Sequence, residues 1–103
     1  MKAFNVVRFR PKPGQEEEFE RRFKELDREF DGLIKFSLVK GENGTYFSVG
    51  EWKDFASVVG AKEQMVANLD HFRNTLIDNG EGKGGTDPVS GTVIHEDLGP
   101  SGR

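Results

Sequence analysis

An α+β chain with the element order β-α-β-β-α-β is what this sequence predicts, and three observations predict it. Four segments, residues 3–10, 33–40, 45–52 and 89–96, alternate side chains with the two-residue period of a strand. Between the first and second of them, and again between the third and fourth, apolar residues recur at three- and four-residue spacing on otherwise polar stretches, as on amphipathic helices. The step Asn43-Gly44 separates the second and third strand patterns and accommodates the positive φ of a tight turn. Together these give the ferredoxin-like arrangement, a four-stranded antiparallel sheet carrying both helices on one face.

The first strand, 3–10, sets Ala3, Asn5, Val7 and Phe9 on one face and Phe4, Val6, Arg8 and Arg10 on the other. Pro11 and Pro13 end it, since neither offers an N–H to a ladder. Gly14 opens a helix whose first turn holds Glu16, Glu17 and Glu18 against the positive end of the helix dipole. Its apolar stripe is Phe19, Phe23, Leu26 and Phe30, with Gly32 as the expected C-terminal cap. In the second strand Ile34, Phe36 and Leu38 share a face, and the Gly41–Gly44 turn is expected to pair that strand antiparallel with the third, residues 45–52. In the third strand Tyr46, Ser48, Gly50 and Trp52 point one way, and Phe47, Val49 and Glu51 the other. Bulky residues on both faces need two covers, the chain's own helices and, on the far side, a second copy of the chain.

Asp54 is the expected N-cap of a second helix reaching about residue 79, with Val58, Met65, Leu69, Phe72 and Leu76 as its stripe, Gly60 as a point of bending and Gly80 as its stop. Residues 81–88 are expected to form a polar, mobile loop, with a lid over the pocket as one role open to it. Residues 80–85 formally match G-x-G-x-x-G, but they follow a helix and lead to Pro88 instead of following a strand and opening a helix, so no dinucleotide site is inferred. The last strand is expected over 89–96. The domain is read as residues 1–97, with 98–103 a flexible tail.

Composition narrows the function. The 103 residues suit one domain that gains stability by dimerising. With no Cys there are no disulfides or thiolate metal sites, which agrees with an expected cytoplasmic location. Met1 to Asn5 meet Arg8 and Arg10 before any long apolar run, so neither a signal peptide nor a membrane span is expected. A net charge of −3, with acids and bases interleaved, gives no footprint for nucleic acid. Two His residues far apart, without a His-x-x-x-His pair or carboxylates at ligand spacing, give no metal site.

The run Arg8-Phe9-Arg10-Pro11-Lys12-Pro13-Gly14, the acidic amphipathic helix, the Gly32 entry to the next strand and Gly50-Glu51-Trp52 together resemble the antibiotic-biosynthesis-monooxygenase domain of the dimeric α+β barrel superfamily, over roughly residues 3–96. That resemblance implies a homodimer with a ligand pocket between sheet and helices in each subunit. Among its members are oxygenases of polycyclic phenols that use no metal or flavin, haem-degrading oxygenases, isomerases and proteins without known activity. Trp52 matches a strand-end Trp of the haem-degrading branch. Val7 stands where that branch carries Asn, and His71 stands farther behind Trp52 than the iron-binding His does, so a haem-degrading role ranks third.

The first expectation is therefore a cofactor-independent monooxygenase acting on an aromatic or conjugated small molecule. Asn5 and His71 are its candidate catalytic residues, assisting deprotonation. Trp52 is the aromatic wall of the pocket, with Val7, Phe9, Phe36 and Phe72 as further substrate-binding residues. The alternative is a binding or accessory protein in which the same pocket is filled by side chains or holds a ligand without chemistry, and Phe19, Phe36 and Trp52 packed with no cavity between them would decide for it. His95 is expected near the dimer interface, and Arg8 in a salt bridge across it in preference to an anion site.

Overall fold

The computed structural model describes residues 1–77 and 85–103. Its elements are β1 (Ala3–Phe9), α1 (Glu16–Lys24), β2 (Leu33–Lys40), β3 (Tyr46–Trp52), α2 (Phe55–Leu69) and β4 (Thr86–Thr92), with short 3₁₀ turns at Arg73–Thr75 and Pro100–Gly102. The strands form one antiparallel sheet in the order β2-β3-β1-β4, the expected ferredoxin-like arrangement. β2 pairs with β3, as the Asn43-Gly44 turn predicts, and β1 lies between β3 and β4. The tight turn joins β2 to the strand that follows it, with Asn43 at φ 57° and Gly44 at 73°. A turn signal fixes only the two strands it connects.

The helix-facing side of the sheet is graded in size. Along the β1–β3 register the inward pairs run Phe9–Tyr46, Val7–Ser48, Asn5–Gly50 and Ala3–Trp52. At the Phe9 end, Phe19 and Phe23 of α1 join Phe9, Tyr46, Phe72 and Leu76 in one buried cluster. Its rings meet at centroid distances of 5.0 to 5.6 Å, mostly tilted or edge-on, the geometry aromatic quadrupoles favour. At the other end Trp52 packs with Ala3, Val58 and Ala61. Small side chains opposite one another in the middle of this face leave room beneath α2.

Three boundaries differ from the sequence reading. α1 stops at Lys24, so Phe30 reaches the interior from the segment after the helix, and Gly32 shapes the entry to β2 through its carbonyl, which accepts from Lys53 N–H at 2.8 Å. In β2 the register shifts between Leu33 and Lys35. The extra residue turns Ile34 out to 54% exposure and brings Leu33 against Trp52. α2 begins at the expected cap, where Asp54 accepts from Ser57 N–H at 2.8 Å, and runs through Gly60 without a break, but it ends at Leu69. The chain then turns so that Phe72 and Leu76 still reach the core, and it pairs with the end of β1: Lys12 N–H donates to Thr75 O at 2.7 Å and Ile77 N–H to Arg10 O at 2.8 Å. Neither bond asks Pro11 for an N–H.

β4 begins three residues earlier than expected and ends at Thr92. Pro88 is tolerated there because β4 is an edge strand. His95 thus lies beyond the strand, exposed and 2.8 Å from Asp97 Oδ2. Arg8 pairs with Asp87 of its own chain at 2.8 Å, across the β1–β4 register, so the bridge expected between subunits forms within one. The expected helix stop at Gly80 and most of the 80–88 loop lie outside the described residues. No described helix is long and apolar enough to cross a membrane.

Candidate functional site

A cavity of about 470 Å³ opens between the sheet and α2. Its floor comes from β1, β3 and β4 through Asn5, Val7, Ser48 and Pro88, its roof from α2 through Val58, Met65 and Leu69, and its end wall from Phe23, Phe30, Phe36 and Trp52. Asn5, Val7, Phe9, Phe36, Trp52 and Phe72, all inferred from sequence as site residues, line this one space. Trp52 and Phe36 border it while Phe19 is packed away from it, so the cavity-free arrangement weighed as the alternative is not the one observed.

His71 is the exception. It sits on the turn after α2 with its side chain exposed and does not line the cavity. The expectation placed His71 at the edge of an apolar helix stripe. It assumed a helix continuing past residue 70, whereas the chain leaves helical geometry there and swings Phe72 inward in its place.

The polar centre of the cavity is a buried pair. Trp52 Nε1 donates to Asn5 Oδ1 at 2.7 Å. An indole N–H can only donate, so it fixes which end of the Asn5 amide faces it, and the Asn5 Nδ2 group is turned toward Met65, 3.9 Å from its Sδ. The register explains the contact: Asn5 stands opposite Gly50, and Trp52 opposite Ala3, two residues along the same face. Gly50 makes room for it. A Cβ at position 50 would lie 2.4 Å from Asn5 Oδ1 and 2.8 Å from Trp52 Nε1, well inside contact distance.

Four residues were not singled out from sequence as site residues. Gly50 and Ser48 were placed on the correct face of the third strand, and their small size opposite Asn5 and Val7 was the signal that this face does not close. Ser48 is buried on the cavity floor. Asn68 accepts from Gln64 Nε2 at 3.0 Å and donates to Asp27 O at 3.4 Å, tying α2 to the segment after α1. Arg28 enters from that segment, which the sequence reading made helical, so no pattern pointed to it. Burial holds its guanidinium below the ordinary arginine value. Among the residues lining the cavity, Arg28 and Lys62 carry positive charge and none carries negative charge.

An apolar cavity between one sheet face and two helices, with a hydrogen-bonded Asn–Trp pair in it, defines a small-molecule site of the ferredoxin-like α+β class. The family model for antibiotic biosynthesis monooxygenase matches residues 3–75, and the chain belongs to that family. Its fold is that of SnoaB, a cofactor-independent oxygenase from Streptomyces nogalater, at 16% identity over 92% of this chain and 95% of that one, TM-score 0.69. It is also similar to MhuD with two manganese protoporphyrin IX bound per active site, at 17% identity over 94% and 99%, TM-score 0.69. A dimeric ferredoxin-like protein from an uncultured marine organism aligns at 15% identity over 94% and 91%, TM-score 0.71. No curated sequence matches the chain.

Proposed function

We propose that the chain is a monooxygenase that oxidises an aromatic or conjugated small molecule without a metal or organic cofactor. The observation that carries this reading is the cavity itself: ring-walled, apolar, without an acid among its described lining residues, and holding one buried, pre-oriented amide. A substrate methylene made acidic by neighbouring conjugation loses a proton, and the resulting anion donates electrons to O₂. A carbon–oxygen bond forms, the O–O bond breaks, and water leaves as the carbon becomes a carbonyl. One oxygen atom enters the product and the other departs as water, with all electrons supplied by the substrate.

Asn5 Nδ2, held in place by the Trp52 bond at the far end of the same amide, stabilises the substrate oxyanion, and the aromatic walls orient the ring and exclude water. His71 has no part in this. The proton leaves to solvent, its loss favoured by stabilisation of the anion and not by a side-chain base. A haem does not fit the same space as an iron-ligating site, since no histidine lines it.

Oxygen uptake with a panel of anthrones and polycyclic phenols tests the proposal. One O₂ consumed per carbonyl formed is expected, with the rate falling by about a hundredfold to a thousandfold in Asn5→Ala, the order found when one oxyanion donor is removed. Saturable binding across the panel without oxygen uptake would instead support the second reading, a binding protein, which the absence of any carboxylate or imidazole from the lining favours.

We further infer that the sheet face opposite the helices meets a second copy of the chain. Phe4, Val6, Phe47 and Val49 are only half-buried there, and Val39 and Val89 are 46% and 66% exposed. Sedimentation equilibrium should return twice the 11.6 kDa chain mass, and a monomer at micromolar concentration would remove the inference.

A further inference from the structure

Arg28 is the charged group that the proposed chemistry leaves without a role. Its guanidinium carbon lies 4.8 Å from the centre of the Phe23 ring and 4.7 Å from that of Phe36, two rings that themselves stack at 5.7 Å. One terminal nitrogen donates to Leu26 O at 3.2 Å and the other to Phe23 O, so the group also closes the C-terminal turn of α1. Arg8, Arg21, Arg22 and Arg73 each meet a carboxylate. No described carboxylate lies within ion-pair distance of Arg28, and the adjacent Asp27 carboxylate is turned to Glu29 N–H at 2.9 Å.

A half-buried cation without a counter-ion is costly unless something completes its coordination. Two rings and two carbonyls supply part of that and hold the side chain in one orientation. Five N–H donors exceed the two used, and the group borders a cavity with no acid among its described lining residues. Lys62 also borders the cavity, but it is exposed and carries its charge on a flexible, strongly hydrated stem. Arg28 is the pre-organised one.

We propose that Arg28 is an anchoring subsite for a carboxylate on the ligand, so that the cavity selects planar aromatic acids over neutral aromatics of the same shape. The anchor sits at the Phe23–Phe36 wall and aligns the ring body along the cavity toward Asn5 and Trp52. It rests on the reading of the cavity as an aromatic-ligand pocket, and the test separates the two.

The probes are anthracene-2-carboxylate and anthracene-2-carboxamide, matched in shape and differing in charge, followed by quenching of the single tryptophan, Trp52. The wild-type chain should bind the carboxylate about tenfold more tightly, as a charge-assisted hydrogen bond against a neutral one implies. Arg28→Gln should bring the two affinities to within about twofold while leaving the carboxamide nearly unchanged. Equal wild-type affinities would overturn the anchor and leave the pocket standing. A preference that survives Arg28→Gln and disappears in Lys62→Gln would also overturn it. If neither probe binds the wild-type chain, the pocket reading fails and the anchor with it. Circular dichroism checks the fold of Arg28→Gln. Should that variant unfold, Arg28→Lys, which keeps the charge but loses the two-pronged geometry, should still narrow the preference, and an undiminished preference would count against the guanidinium contact.

Discussion

The two ends of the helix-covered sheet face are built from the same strands and differ in what they do with space. At one end Phe9, Phe19, Phe23, Tyr46, Phe72 and Leu76 pack into one buried cluster. Toward the other, Ser48, Gly50 and Ala3 stand on the sheet beneath α2, and a cavity of about 470 Å³ remains. The packed end supplies stability, which the open end spends on a site. Close packing is the default for an interior, so a retained void needs rigid walls to keep it from collapsing. Here the rigid elements are the aromatic cluster on one side and the Trp52–Asn5 bond on the other.

Breaking the packed end should cost most. Phe19 is fully buried among four other rings, and Phe19→Ala should lower the unfolding free energy by about 3–5 kcal/mol in urea titrations. The open end should respond less in stability and more in binding. Gly50→Ala drives a Cβ into Asn5 Oδ1 and Trp52 Nε1, with an expected loss of about 1–3 kcal/mol and of the Trp52 quenching by anthracene-2-carboxamide. If that variant kept both, the buried pair would not be what holds the cavity in shape.

Acid should loosen both ends together, each through its own carboxylate. At the packed end Tyr46 donates to Glu20 at 2.5 Å, which holds Glu20 below the ordinary carboxylate value, while burial and the same bond push the Tyr46 hydroxyl up. At the open end the Ser57 hydroxyl and backbone N–H hold Asp54 low. Both carboxyls take up protons more readily in the unfolded chain. Their stabilisation is therefore present above the ordinary carboxylate range, about pH 4, and is lost as pH falls through the lower folded values. Thermal melts should be flat from about pH 7 to 5 and drop below about 4, and in Asp54→Asn part of that drop should vanish.

Smaller effects sharpen the contrast. Ser48→Val adds bulk to the cavity floor, so binding of anthracene-2-carboxamide should weaken about fivefold with stability changed by less than about 1 kcal/mol. His71→Ala, on the exposed turn, should change neither stability nor oxygen uptake measurably, and a clear loss of uptake would return His71 to the mechanism.

Much of this contrast was written in local pattern. The two-residue period of 3–10 and 45–52 put Asn5, Val7 and Phe9 on the face that also holds Trp52, and the structure gathers them at one cavity. Helix ends were less legible. Phe30 and Phe72 continue the spacing of their helices and do reach the interior, but by way of turns, because a buried position constrains where a side chain ends and not the backbone path to it. The same ambiguity put His71 in the site and kept Arg28 out of it.

The sequence by itself determined the element order, the inward faces of the first and third strands, the Asp54 cap and the Asn43-Gly44 turn. These depend on near neighbours and on side-chain periods that survive without knowledge of the rest of the chain. Strand order, the Asn5–Gly50–Trp52 juxtaposition, the void beneath α2 and the place of Arg28 at its edge were decided only in the tertiary structure. Each is a relation between separate elements, and its geometry exists only once register and packing are set.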